Sequence, residues 1–269
     1  FMVNHDILLK LKSKGQAADL SGLRTIPDYT DQMLTQMKDE GKIYWVPTTV
    51  SAFGLYCNED LLKKHKQKTP GNLKEWESVC SYFTKKGITP VICNNDISLK
   101  TLAVGRGFYS VYQQNNQKQV FENLNNGKEK LSRYLTPGFD LAQSLIQQGY
   151  IDLDKSLKTE KTSDDLEEFA KGKSPFMLTG AWAAGRVKTM NPDLKFSVSP
   201  LPLLENGSML VVNADTRLSV NADSRHVKAA EMFVEYFTQA ENIKKFSDQQ
   251  CSFSPLKGGK SSSVEEIRP

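Results

Sequence analysis

Two side chains stand apart from the rest as groups placed for chemistry, Asp6 and Trp182. The apolar run at residues 1–3 reads as a buried strand ending at Asn4-His5-Asp6, and the carboxyl end of a strand in an α/β sheet faces the crevice where ligands collect. An aspartate in front of a helix equally serves as its N-cap, so both roles stand for Asp6. Trp182 follows Thr179-Gly180-Ala181 just past an apolar strand run. Its indole has no amphipathic stripe to join, whereas Trp76 shares helical spacing with Val79, Cys80 and Phe83. Motifs for covalent or phosphate chemistry are missing: there is no GxSxG, no P-loop, no GxGxxG after a strand and no HExxH. Gly105-Arg106-Gly107 is not a phosphate loop. The four cysteines, Cys57, Cys80, Cys93 and Cys251, contain no CxxC, and the three histidines, His5, His65 and His226, have no metal-like spacing with them. Buried or partly buried thiols are therefore expected in preference to a disulfide, since an even number of cysteines does not fix pairing, with no metal and no cofactor. A pair of carboxylates across a cleft would hydrolyse glycosides; with 31 acidic residues and no distinctive motif, a carbohydrate-active enzyme is kept only as an alternative.

The elements that must position these groups follow from composition and periodicity. At 269 residues the chain suits one large or two moderate domains. Hydrophobic residues make up 39% and charged residues 25%, and no apolar run approaches a membrane span. The net charge of +4 comes without a dense basic block, which argues against nucleic acid. Residues 42–46, including Trp45, form a β-branched and aromatic run that Pro47 is expected to end. Residues 48–54 then cross to a second strand at 55–57, and Asn58 caps a helix starting Glu59-Asp60-Leu61-Leu62. Helices are read at 7–14, ended by Gly15, at 29–41 with Met33, Leu34 and Met37 inward, and at 73–86. Residues 91–93 read as a strand and 100–114 as an aromatic-rich helix or turn carrying Arg106, Phe108, Tyr109 and Tyr112. The polar stretch 113–127 reads as an exposed insertion, and a helix at 134–148 has Pro137-Gly138 near its start. Residues 209–220 alternate apolar and polar, Asn221 is a cap, and 227–239 is a strong helix with Val227, Ala230, Phe233, Val234 and Phe237 on one side.

The order of these segments resembles a known family. The stretch at 41–62, GKIYWVPTTVSAFGLYCNEDLL, is similar to the segment by which extracellular solute-binding proteins of ABC importers cross between lobes, in the carbohydrate-binding, maltose-binding-protein-like group. Thr69-Pro70, Leu73-Lys74-Glu75-Trp76 and Lys86-Gly87-Ile88-Thr89-Pro90 resemble that family's turn, helix start and Gly-Ile-x-Pro exit. FAKGKSPFMLTGAW at 169–182 resembles its Gly-x-Trp signature, and FSVSPLP at 196–202 its strand ending in Leu-Pro.

The resemblance implies an α/β, two-lobed fold of the type II periplasmic-binding-protein kind, each lobe a sheet flanked by helices. Residues 1–50 with 216–269 would form an incomplete first lobe and 51–215 the second, with the ligand cleft between them. The family's lipid-attachment region, first β-α-β unit and C-terminal helices are expected to be missing. The implied function is non-enzymatic capture of a sugar or oligosaccharide outside the cell, or in the periplasm, by a monomeric lipoprotein that delivers it to membrane permease subunits. A polyamine or peptide cargo is the competing binding reading. Sugars offer apolar faces to aromatic rings and hydroxyls to paired donors and acceptors. Trp182 aligns with the family's stacking tryptophan, and Arg106 and Tyr109 fall where the family supplies aromatic and polar groups to its cleft. Asp6 and Ser51 are expected to line that cleft from its two sides, and Asn4 and Trp45 complete the candidates. Ser51 stands where maltose-binding protein has a ligand-facing glutamate and Val3 where it has a tryptophan, so maltose itself is not the expected ligand.

Overall fold

The computed structural model describes residues 1–259 and 265–267, so the end of the segment expected to reach residue 269 lies outside the described residues. Two compact units emerge, one of Phe1–Ala52 with the chain from Val212 onward and one of Phe53–Val211. No helix among the described residues is long and apolar enough to cross a membrane.

Residues 1–3 are not a buried strand. A single bridge ties Met2 to Leu218, and Phe1 and Met2 remain 43% and 49% exposed. Helix α1 (His5–Ser13) starts two residues before expectation because Asn4, in extended conformation, is its cap: the Asn4 side chain accepts from the Ile7 N–H at 2.9 Å. Helix α2 (Asp31–Met37), capped by Thr30, is shorter than the helix expected over 29–41. Its continuation folds back as a hairpin of β1 (Lys38–Asp39) and β2 (Lys42–Ile43). Glu40 and Gly41 both take positive φ, 52° and 83°, as a two-residue hairpin turn requires. Strand β3 (Val46–Asn58) then runs through Pro47, which was expected to end a strand, and all thirteen of its residues are buried. The carbonyl of Pro47 is used, accepting from the Tyr29 hydroxyl at 3.0 Å. The crossing segment and the second strand of the sequence reading are thus one continuous strand.

The second unit follows β3. Asn58 caps α3 (Glu59–Lys64) by accepting from the Leu61 N–H at 3.0 Å. Helix α4 (Leu73–Thr84) buries Trp76, Val79, Cys80 and Phe83, the stripe read from their spacing. After β4 (Val91–Ile92) comes α5 (Ser98–Gln113). The polar insertion expected at 113–127 is a helix, α6 (Gln117–Asn125), because Val120 and Phe121 reach the Phe108 ring, which lies 5.6 Å from that of Phe121. Helix α7 (Leu131–Gln147) begins before Pro137 and continues through it. Proline inside a helix costs about 3 kcal/mol. Contact with α5 offsets that cost: a Cβ on Gly138 would lie 1.8 Å from the Ala103 carbonyl oxygen, and one on Gly107 would lie 2.5 Å from that of Tyr134. Each helix thus presents a glycine to the other's backbone.

Next come α8 (Leu153–Lys158), α9 (Asp164–Ala170), β5 (Phe176–Gly180), α10 (Ala184–Met190), β6 (Phe196–Ser199), β7 (Leu201–Leu204) and β8 (Gly207–Met209). The sheet order is β4-β5-β3-β6. Antiparallel pairing sets Tyr56 opposite Met177 and Phe53 opposite Gly180. A core of Leu55, Trp76, Phe83, Leu102, Leu145, Phe176 and Leu201 fills this unit. Burying one such side chain stabilises by about 1.5–3 kcal/mol.

Strand β9 (Val211–Leu218) pairs with β3 and returns the chain to the first unit. Asn221 does not cap the next helix; its side chain accepts from the Asp223 N–H two residues on. Helix α11 (Val227–Phe237) turns Val227, Ala230, Val234 and Phe237 toward the core of Leu8, Leu20, Tyr29, Met37 and Leu218, while Phe233, expected in that stripe, is 55% exposed. Helix α12 (Ala240–Gln249) sets Phe246 against Phe237 at 5.3 Å. None of the four cysteines is bridged, and Cys57, Cys80 and Cys93 are buried.

Candidate functional site

In the first unit the polar groups gather where β9 passes Trp45. Thr216 takes a left-handed conformation, φ 46°, which β-branched residues rarely adopt. The Asp215 carboxylate accepts from its N–H at 2.8 Å, and the Thr48 hydroxyl donates to its carbonyl at 2.8 Å. At this bend the Arg217 guanidinium lies over the Trp45 ring, 5.0 Å from its centroid, and His5 meets the same ring edge-on at 6.0 Å. Burial lowers the Arg217 pKa from its ordinary value against the pull of Asp215, and the guanidinium stays charged. Burial first and the Arg217 charge second lower the His5 pKa, so this imidazole is neutral at pH 7. Asn4, Asp215, Thr216 and Arg217 line a cavity of about 370 Å³ together with Met2 and Val3.

Of the candidates read from the sequence, Asn4 reaches this cavity and Trp45 lies beneath Arg217. Asp6 is exposed on the first turn of α1, and Ser51 is 6% exposed within β3. The expectation that Asp6 and Ser51 belong to different lobes is corrected. Ser51 falls in the first unit with Asp6, because β3 is still bonded there through the Val50 N–H and the Phe253 carbonyl at 2.8 Å.

In the second unit, Trp182 sits in a single helical turn between β5 and α10, half-buried. A Cβ on Gly180 would lie 1.9–2.1 Å from its Cζ3, Cη2 and Cε3 atoms, so the benzo ring rests directly on the glycine backbone. This contact gives the Gly-x-Trp spacing a physical reason: only glycine leaves room for the indole to fold back on the strand end. The buried Tyr56 hydroxyl donates to the Gly180 carbonyl at 2.8 Å and fixes the same turn from beneath. Arg106 and Tyr109 are half-buried on α5, and Tyr109 packs on the core. Ser98, the first residue of α5, donates to the Leu178 carbonyl of β5 at 2.6 Å. Among the described residues no hydrogen bond or ring contact joins Arg106 or Tyr109 to Trp182.

Sequence reasoning missed Asp215, Thr216 and Arg217. The available signal was the polar run Asn213-Ala214-Asp215-Thr216-Arg217 inside a strand otherwise alternating with apolar residues. No group of histidine, cysteine or carboxylate side chains among the described residues could hold a metal ion.

Residues 1–260 match the family described as bacterial extracellular solute-binding protein. A multiple sugar-binding protein of Streptococcus mutans is 24% identical over 95% of this chain and 61% of its own length. The maltodextrin-binding protein MdxE of Bacillus subtilis is 24% identical over 90% of this chain and 57% of its own. The chain thus spans about three fifths of these relatives. Among solved structures, RafE in complex with raffinose superposes with a TM-score of 0.76 at 24% identity, covering 97% of this chain and 68% of that one. The apo form of RafE from Streptococcus pneumoniae gives 0.78 at 22%, covering 98% and 67%. The fold is the α/β fold of these type II solute-binding proteins.

Proposed function

The chain belongs to the bacterial extracellular solute-binding proteins, and from that membership we propose that it captures a sugar or oligosaccharide outside the cell and delivers it, chemically unchanged, to the permease of an ABC importer. Membership across the chain is the observation that carries this reading. The site chemistry agrees with it. Trp182 offers an aromatic surface on a rigid strand end, which suits the C–H face of a pyranose. Arg106 and Tyr109 in the second unit, and Asn4, Asp6 and Ser51 in the first, complete the proposed ligand-facing set, with Trp45 beneath Arg217. Donors and acceptors of both kinds are present for a polyhydroxylated ligand.

Isothermal titration of the purified protein with raffinose, stachyose and maltotriose tests the reading, with spermidine and a tripeptide as comparison ligands. Saccharide binding with a dissociation constant in the micromolar range or tighter is expected, with no hydrolysis of a chromogenic glycoside. Binding confined to spermidine or the peptide, or turnover of the glycoside, would overturn it.

A further inference from the structure

The cavity beside β9 holds an arginine that its own protein leaves short of partners. Of the five N–H donors of a guanidinium, Arg217 places one on the Asn213 side chain, at 3.4 Å, and its Nε is buried with no acceptor among the described residues. No carboxylate lies within ion-pair distance of it among the described residues. Instead, the planar cation is laid on Trp45, a ring that His5 also meets edge-on. That arrangement fixes where the guanidinium sits without using up its donors. Trp45 thus presents a ring face to Arg217, a position at odds with the simple expectation that it stacks on a sugar.

Resting on the sugar-binding reading above, we infer that Arg217 is a ligand-recognising residue of the first unit, donating to adjacent hydroxyls of a neutral saccharide, and that Trp45 acts through it as a positioning residue. Three observations carry this together. Asn4, Asp215 and Thr216 line the same cavity and supply acceptors that hydroxyl protons need. The forked donor edge of a guanidinium matches two neighbouring oxygens. Asp215 and Arg217 stand in one lining with opposite charges, which suits a neutral polyol over a carboxylate. The strained Thr216, whose carbonyl accepts from Thr48 and whose N–H donates to Asp215, is what aims residue 217 at this point.

The test is a cycle of variants titrated with raffinose, stachyose and maltotriose, with thermal melts to confirm that each folds. Arg217→Met keeps the packing stem and removes the donors, and binding is expected to weaken about tenfold to a hundredfold, the effect of hydrogen bonds to a charged group. Arg217→Lys keeps the charge without the fork and is expected to recover only part of that loss. Trp45→Ala is expected to weaken binding by a similar factor in the wild-type background and by less than about twofold in Arg217→Met, while Trp45→Phe retains most of the affinity. Arg217→Met binding as tightly as wild type sinks the assignment, as does a full additive loss from Trp45→Ala in the Arg217→Met background, since Trp45 would then touch the sugar itself. Preference for glucuronic acid over glucose would also overturn it. If the wild-type protein binds none of the neutral saccharides, the proposed function falls and this inference with it. Binding that Arg217→Met leaves untouched removes this inference alone.

Discussion

Substituting alanine at Gly180 is expected to disable Trp182 without touching it. The new Cβ would stand 1.9 Å from Cζ3, 2.0 Å from Cη2 and 2.1 Å from Cε3 of the indole. Ordinary carbon contacts begin near 3.5 Å, so the ring must withdraw by about 1.5 Å. What moves is the end of a half-buried side chain; the Gly180 backbone, at φ −75° and ψ 146°, is open to alanine and stays paired with Phe53. The Tyr56 hydroxyl still holds the Gly180 carbonyl. If the indole stacks on a sugar, that contact contributes roughly 1–3 kcal/mol, so Gly180→Ala should weaken saccharide binding about tenfold to a hundredfold. Trp182→Ala should do the same with little loss of stability. Once Trp182 is alanine, Gly180→Ala meets no ring and should leave affinity alone, and it should raise stability by about 0.4–1 kcal/mol through the unfolded chain. Calorimetric titration of the two single variants and the double variant, with urea melts alongside, reads all of this. Unchanged affinity in Gly180→Ala would refute the placement of Trp182 in the site, and so would a large stability loss in Trp182→Ala with affinity intact.

The remaining expectations concern the scaffold. Gly138→Ala drives a methyl into the Ala103 backbone at 1.8 Å, so the gain in helix propensity, up to about 1 kcal/mol, is outweighed and a net loss of about 1–3 kcal/mol should appear as a lower urea midpoint; a midpoint at or above wild type contradicts the close crossing of α5 and α7. Asp96 is held to a pKa of about 2 by hydrogen bonds from Lys100 and then Lys161. Its contribution is therefore complete above the unfolded carboxylate pKa near 3.9 and lost as pH falls through about 2; with its side chain 40% exposed, screening limits it to about 0.5–1 kcal/mol. The stability gap between wild type and Asp96→Asn should narrow between pH 4 and pH 2, and a constant gap would argue that the lysines do not set it. Burial raises the thiols of Cys57 and Cys93 to about 12 and that of Cys80 well above its usual value, so a chromogenic disulfide reagent at pH 8 should modify Cys251 quickly and the other three only on unfolding; rapid reaction of a second thiol in the native protein would contradict their burial.

Where a local rule acted alone, the sequence was legible. Asn58 as a cap, the inward stripe of α4 and the strand before Trp182 all carry a residue pattern readable within a few positions. Legibility failed where distant segments decide. Pro47 sits inside a strand because β9, far along the chain, pairs with β3. Residues 117–125 are helical because Phe121 finds the Phe108 ring, and α7 accepts Pro137 because Gly138 lets α5 come close. The site divides in the same way. Trp182 stood out by lacking a stripe to join. The pairing of Trp45 with Arg217 joins residues far apart in sequence, and the polar run at 213–217 does not disclose the left-handed Thr216 that presents the guanidinium.

The discontinuous make-up of the first unit bears on the order in which a ribosome can complete this protein. Residues 53–211 emerge as one uninterrupted span, made in about 10–30 s at ordinary elongation rates. Residues 1–52 must wait for partners made after residue 211: the Phe1 nitrogen bonds the Ser219 carbonyl at 2.8 Å, and the Thr30 N–H bonds that of Pro255 at 3.1 Å. The second unit should thus be finished before the first, leaving Leu8, Met33 and Trp45 without their core until the stretch from Val212 has followed. Nascent chains stalled soon after residue 211 has left the exit tunnel should resist protease across 53–211 and be cut within 1–52; protection of both halves at that length would reverse the order.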